Sequence, residues 1–236
     1  MVPSPDTSKL NKLLAGLPQP DAERVLAHLE FVPLKLGSVL YETGDQPRSV
    51  YFPTDSIVSL LYVLENGDSA EIAMVGSEGM VGVASVTGGD FTSSRALVQS
   101  AGFALQLDKE VLKREFARGG PLQRALLRYV QALMTQVGQT AVCNRHHTVH
   151  QQLCRWLLLS LDRLPSNEVH MTQELIANML GVRREGVTEA ARKLQDAGMI
   201  KYSRGHITVL DRAKLESGVC ECYAVVRKAF ERLLGS

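Results

Sequence analysis

Apolar positions along the chain change their period several times, and each change marks a new element. Residues 7–30 place Leu10, Leu13, Leu14 and Leu17 at helical spacing, then Val25, Leu26 and Leu29 after Pro18 and Pro20. This predicts two short helices separated by a proline turn. From Phe31 the period shortens. Brief β-rich runs are cut by Gly37, Gly44-Asp45, Pro53, Asn66-Gly67, Gly76 and Gly79, and they continue to about residue 107. Turn signals at such spacing predict an antiparallel sandwich or barrel, and Asn66-Gly67 marks a hairpin. Residues 108–118 read as a short helix. Gly119-Gly120-Pro121 then breaks the chain, and a long helical pattern follows to about Asn144. In it, Leu126, Val130, Leu133, Val137 and Thr140 recur at alternating spacings of four and three, a heptad seam. Leu127, Met134 and Ala141 form a second apolar face. That second face is expected to cover the β domain. The expectation is that the heptad seam pairs with a second copy of the helix.

Beyond a junction at Asn144-Arg145-His146-His147, residues 149–164 form an amphipathic helix around Leu153, Trp156, Leu157 and Leu161. The stretch from His170 to Lys193 is the most informative. Thr172 is an N-cap, and Ile176, Met179 and Leu180 line one side of a first helix. Gly181 ends that helix, since glycine takes the left-handed C′ conformation without steric cost. A second helix opens near Arg183 and buries Val187, Ala190, Ala191 and Leu194. Arg183, Arg184, Glu185, Thr188 and Glu189 are left facing outward. This is the pattern of a helix-turn-helix, whose second helix reads bases in the major groove. Arginine bonds guanine O6 and N7 together, and glutamate accepts from cytosine N4. An ordinary helical hairpin with a solvated face is the plainer reading. The next segment favours DNA. IKYSRGHITVL reads as a β-hairpin with Arg204-Gly205 at its tip, a wing whose Arg204 and His206 suit phosphate contact. Thr172 and Gln173, opening the first helix, complete the candidate DNA contacts.

Composition narrows the class. Of the 236 residues, 45% are hydrophobic and 22% charged, so the chain can bury a core. Net charge is +1, which alone does not suggest nucleic acid. Its distribution is uneven: residues 1–148 carry 13 Lys and Arg against 15 Asp and Glu, and residues 149–236 carry 13 against 10. The basic excess therefore lies with the helix-turn-helix. No apolar run approaches a membrane span and the N-terminus lacks a signal-peptide pattern, so a cytoplasmic protein with no membrane partner is expected. The sequence shows no nucleophile elbow, P-loop, HExxH or carboxylate pair, and an enzyme is not expected.

The order of these parts resembles the Crp/Fnr family of bacterial transcription regulators over roughly residues 10–215. The matching pieces are LKLGSVLYETGD, the GSEGMVGVAS turn, HHTVHQQLCRWLLL and, most specific, TQELIANMLGVRREGVTEAARKLQDAGMIKYSRGHITV. The resemblance implies an α+β chain. It would comprise a β-roll (jelly-roll-like) sensor domain similar to cyclic-nucleotide-binding domains over 1–120, a dimerisation helix over 121–146, and a winged helix-turn-helix over 147–236. It also implies a homodimer that binds a palindromic site in double-stranded DNA and contacts RNA polymerase. The family's base-reading positions fall on Arg184, Glu185, Thr188 and Glu189. Many members carry arginine where Glu189 stands, and an acid cannot donate to guanine, so a different half-site is expected. A ligand-sensing module acting through protein contacts, with weak DNA binding, is the alternative, and Glu185 with Glu189 points that way.

The sensor pocket departs further from its family. Cyclic-AMP-binding members hold the ribose with a glycine-glutamate pair and the phosphate with an arginine-serine pair. The aligned residues here are Gly82-Val83 and Ser94-Arg95, and Val137 stands where a helix threonine reads adenine. Missing charge-assisted bonds cost roughly 1.5–3 kcal/mol each, so cyclic AMP in the usual mode is not expected and no cofactor is assigned. The first 140 residues hold no cysteine, which excludes the N-terminal iron–sulfur cluster of the oxygen-sensing members. The four cysteines, Cys143, Cys154, Cys220 and Cys222, are expected to be free thiols. Cys143, His147, His150 and Cys154 share one face if the helix is continuous. Spread along ~16 Å of helix, they cannot all surround one metal. Packing or hinge contacts are expected for them, and no metal site. Cys220-x-Cys222 lacks the two-residue spacing of zinc or dithiol sites and is expected to be structural.

Overall fold

The computed structural model describes residues 9–89 and 91–235. The first two residues of the helical segment predicted over 7–30 lie outside that range. Helices α1 (Lys12–Ala15) and α2 (Gln19–Leu26) lead into the β domain. Asn11, fully buried, caps α1 through Oδ1 and donates from Nδ2 to the carbonyls of Pro53 and Gly79, each at 2.9 Å. One side chain thus fastens the N-terminal helices to the sheet.

The β domain contains β1 (Glu30–Leu34), β2 (Val39–Tyr41), β3 (Ser49–Pro53), β4 (Ile57–Val63), β5 (Ser69–Val75), β6 (Arg95–Ser100) and β7 (Gly102–Asp108). They form two antiparallel sheets, β1-β7-β3 and β2-β6-β4-β5. Gly67 alone takes a positive φ, 90°, in the β4–β5 turn and closes it on the Leu64 carbonyl at 2.9 Å, so the hairpin loop is longer than a two-residue Asn-Gly turn. A short helix α3 (Ala84–Thr87) joins β5 to β6, and α4 (Lys109–Ala117) leaves β7 under an Asp108 cap.

Strand β4 is buried on both faces at residues 57–61. Val58 and Leu60 enter the core between the sheets, with Val50, Phe52, Leu105 and Leu107. Ile57 and Leu61, with Met74 of β5, belong to a second core that they share with Trp156, Leu157 and Ile176. A strand that alternates between two cores is covered on both sides. The C-terminal half of the chain is therefore docked on the outer face of the roll.

That half begins with the long helix α5 (Pro121–His146), followed by α6 (Val149–Leu161). Thr148 opens α6 with a capping box closed by Gln151. His147 sits between the helices in an extended conformation, φ −105° and ψ 153°. The helix is thus broken between Cys143 and His150, and the shared face expected of Cys143, His147, His150 and Cys154 does not form.

The winged unit follows: β8 (Glu168–His170), α7 (Gln173–Leu180), α8 (Arg184–Asp196), β9 (Ile200–Ser203) and β10 (His206–Val209), then α9 (Arg212–Gly218) and α10 (Glu221–Leu234). Its sheet runs β8-β10-β9, so a third strand, hidden in the short EVH run, backs the hairpin. Helix α10 leaves this unit and returns along α5. Arg128 Nε donates to the Leu233 carbonyl at 2.9 Å, and Phe230 and Leu234 pack on the roll core.

The faces of α5 are the reverse of the expectation. Leu126, Leu133 and Thr140 of the heptad seam are buried against their own chain, at 0%, 6% and 6% exposure, and Val130 and Val137 are half-buried. Leu127 and Met134 are instead 51% and 64% exposed, and Ala141 is also exposed. Both stripes are apolar at heptad spacing, so periodicity alone could not say which one the roll takes. Tyr129 decides it. Its hydroxyl donates to the Met80 carbonyl at 3.0 Å, and its ring lies where a Cβ on Gly79 would sit. This clamps the Leu126–Leu133 side onto the GSEGM turn.

Further polar links cross between the halves. Arg163, 8% exposed, pairs with Glu78 at 2.7 Å and donates to Gln136 Oε1 at 3.1 Å. Ser59 Oγ lies 2.5 Å from Glu71 Oε2 and 2.7 Å from Gln99 Oε1, and Gln99 Nε2 donates to Ser160 Oγ on α6.

Candidate nucleic-acid interface

The two helices of the motif are held by few, specific contacts. Thr172 caps α7, with its Oγ1 accepting the Leu175 N–H at 3.3 Å. Gly181 ends α7 in the left-handed region, φ 64°, and Val182 turns its N–H back to the Ala177 carbonyl at 3.0 Å. Arg183 takes the N-cap position and α8 starts at Arg184, one residue later than the sequence suggested. Thr188 Oγ1 lies 2.7 Å from Gln173 Oε1 and 3.0 Å from the Arg184 carbonyl. The Thr188–Gln173 bond ties α8 to α7 above their shared apolar core. Gln173 and Thr188 thus have a positioning role within the protein, besides the base contact expected of Thr188.

On the exposed side of α8 stand Arg183, Arg184, Glu185, Thr188 and Glu189. Val187, Ala190, Ala191 and Leu194 face the core. Glu189 is drawn along its own helix to Lys193, 2.7 Å away. That pairing holds its carboxyl below the usual carboxylate range. At the wing tip Arg204 and Gly205 both have positive φ, 50° and 82°, the two-residue turn that a right-twisted hairpin prefers. Arg204 is exposed. His206 packs edge-on against His170 of β8, with centroids 4.4 Å apart, so the wing carries a histidine pair. The result is an exposed face that carries Arg183 and Arg184 on α8 and Arg204 and His206 on the wing. Such a surface can enter a groove and meet flanking phosphates.

The sequence-aligned pocket residues each have partners within the roll. Gly82 takes φ 101°, and a Cβ there would meet the Val50 side chain at 3.0 Å. Val83 packs on the roll core. Ser94 is 8% exposed, and Arg95 Nε is paired with Glu42 at 2.7 Å. An incoming phosphate would have to displace that carboxylate. Val137 is half-buried against the roll core. Two clefts lie elsewhere. One of about 500 Å³ is bounded by Lys12, Glu78, Arg163, Arg227 and Phe230. Another of about 560 Å³ separates the β4–β5 hairpin from the helix-turn-helix at Ala70, Gly181 and Arg183.

One cluster was not legible in the sequence. Cys143 and His147 at the end of α5 meet Cys220 and Cys222 at the start of α10, and their ligand atoms all lie within 4.8 Å of one another. Cys143 Sγ is 3.6 Å from Cys220 Sγ, and Cys222 Sγ is 3.5 Å from His147 Nδ1. Hydrogen bonding with Cys143 is the main force drawing the Cys220 thiol below its ordinary range. The expected partners His150 and Cys154 fall outside the group, near Gly218. Two signals were available, a Cys-x₃-His pair one helical turn apart and the Cys-x-Cys pair. More than 70 residues separate them, and only the return of α10 along α5 joins them.

Comparison with known proteins agrees with this geometry. Residues 31–118 match the cyclic nucleotide-binding domain and residues 151–217 the Crp-like helix-turn-helix domain. No curated protein matches the sequence significantly. Among solved structures, a putative Crp/Fnr regulator from Eubacterium rectale aligns with TM-score 0.68 at 18% identity, covering 89% of this chain and 98% of that one. FixK2 from Bradyrhizobium japonicum aligns with TM-score 0.67 at 15% identity, covering 81% and 98%. The c-di-GMP-responsive regulator CLP from Xanthomonas campestris gives 0.65 at 16%, covering 81% and 99%. With a cyclic nucleotide-binding domain, a long connecting helix and a Crp-like helix-turn-helix in this order, the chain belongs to the Crp/Fnr family of transcriptional regulators.

Proposed function

We propose that the chain acts as a homodimer that reads a palindromic DNA site through α8 and does not depend on cyclic AMP in the usual mode. The observation that carries this reading is the exposed first turn of α8. Arg183, Arg184 and Glu185 stand free of the core, α8 is tied to α7 by Thr188, and the wing flanks it. Arg184 is the guanine reader and Glu185 the cytosine reader. Glu189, drawn back to Lys193, withdraws from that role. Arg204 and His206 contact phosphate. The pairing surface is the exposed stripe Leu127, Met134 and Ala141 on α5, which a second copy covers in a parallel helix pair. Contact with RNA polymerase completes the regulatory reading.

The test is selection of bound sequences from random DNA by the purified protein, with and without cyclic AMP. Equal enrichment of one palindrome in both arms is expected. Enrichment only with nucleotide overturns the reading of Val83, Ser94 and Arg95. No enrichment in either arm refutes ligand-independent DNA reading. Arg204→Ala should weaken binding uniformly and reduce the salt slope by about 1, whereas Arg184→Ala should relax selection at one base pair.

A further inference from the structure

We propose that Cys143, His147, Cys220 and Cys222 bind one tetrahedral divalent ion of the zinc class. With metal–sulfur and metal–nitrogen bonds of about 2.3 and 2.0 Å, a tetrahedral site has edges of about 3.8 Å between sulfurs and about 3.5 Å between sulfur and nitrogen. The Cys143–Cys220 and Cys222–His147 separations, 3.6 and 3.5 Å, already match two such edges. The widest ligand separation, 4.8 Å, has only about 1 Å to close. Thiolate and imidazole donors select zinc-like ions over calcium or magnesium, whose ligands are oxygens. Atoms this close together surround one ion; a multi-iron cluster needs its thiolates spread around several metals.

The surroundings fit as well. His147 presents Nδ1 to the thiols and Nε2 to Glu221, whose carboxylate lies 3.4 Å away. A carboxylate behind a ligating histidine fixes its tautomer and raises its basicity. The three cysteines form a small buried cluster of their own, with the partly buried Val219 packed against it. Arg155 gives the second, independent observation. It is 4% exposed, and its Nε has no hydrogen-bond partner among the described residues. Its Nη1 donates to Thr140 Oγ1 at 3.1 Å, one helical turn before Cys143 on α5. Three thiols lose their protons to solvent on binding, so a divalent ion with three thiolates and a neutral imidazole carries one net negative charge. Arg155 neutralises it. The ion would join the end of α5, the break at His147 and the first turn of α10. It would fasten the C-terminal helix to the hinge from which the winged unit hangs.

The experiment uses the full-length chain, reduced and stripped with chelator, and titrated with Co²⁺ and then Zn²⁺ in the absence of DNA. Failure to bind metal is thus visible separately from failure to bind DNA. The expected result is one ion per chain, with the thiolate-to-cobalt charge-transfer band and tetrahedral d–d bands, both erased by zinc. Cys220→Ser and Cys222→Ser should lower affinity at least a hundredfold, Glu221→Gln about tenfold, and Cys154→Ser not at all. If the serine variants do not fold, alkylation of the wild-type chain decides. Zinc should protect Cys143, Cys220 and Cys222 and leave the rate at Cys154 unchanged. A missing charge-transfer band, an unaltered band in folded Cys220→Ser, or equal protection of all four cysteines would overturn the proposal.

Discussion

Replacing Glu71 with glutamine separates the charge of this buried carboxyl from its shape. Glu71 is 7% exposed, and burial pushes its carboxyl from an ordinary 4.5 up to about 7. The Ser59 hydroxyl and the positive charges of Arg155 and Arg163 oppose the rise. The bonding pattern points the same way. Ser59 Oγ is within 2.7 Å of both Glu71 Oε2 and Gln99 Oε1, yet one hydroxyl hydrogen cannot serve two acceptors. A protonated Glu71 resolves this by donating to Ser59, which donates to Gln99, whose amide donates to Ser160. The unfolded chain releases the proton near 4.5, and the folded chain keeps it until about 7. Between those values the folded state binds more protons, so stability falls as pH rises through the window and is flat on either side. At about 1.4 kcal/mol per pH unit, the full loss is about 3 kcal/mol, a ceiling that local relaxation lowers.

A glutamine amide keeps the donation to Ser59 and has no proton to lose. Glu71→Gln should therefore match the wild type near pH 4.5 and exceed it by up to about 3 kcal/mol at pH 8. Guanidinium unfolding at fixed protein concentration measures this. Trp156, the single tryptophan and 1% exposed, reports from the same junction. Stability curves that run parallel from pH 4.5 to 8 would show that Glu71 is ionised throughout and would refute the protonated chain.

Gly79→Ala places a Cβ 2.6 Å from the Tyr129 ring and should cost about 1–3 kcal/mol in chemical unfolding. Thr188→Val keeps the shape of α8 but removes the bond to Gln173, and should lose about 1 kcal/mol of stability and blunt sequence selection in a binding titration. Met134→Glu, at a 64% exposed position, should leave the circular dichroism spectrum unchanged and convert dimer to monomer in sedimentation. A persisting dimer would exclude the Leu127–Met134 stripe. Millimolar cyclic AMP should leave the melting temperature unmoved; a ligand at a thousandfold excess over its dissociation constant adds about 4 kcal/mol, a shift that is easily seen.

Local rules acting within a few residues made much of this protein legible from sequence. The Asn66-Gly67 hairpin, the Thr172 cap, the Gly181 stop and the buried face of α8 each follow from a turn preference or a helical period, and each is present in the fold. The same rules placed Arg184 and Glu185 on an exposed surface. They did not reveal β8, because three residues carry no period. They also could not choose between the two apolar stripes of α5, since a period gives faces and not what covers them. Tertiary structure made that choice through Tyr129 and Met80. It also set Glu71 beneath α6, where burial moves its proton. The Cys-His cluster was furthest out of reach. The break at His147 removed the helical face that the sequence implied, and the return of α10 brought Cys220 and Cys222 across from the far end of the chain. Ligand spacing along a chain predicts a site only when one element carries all of the ligands, and here two helices share them.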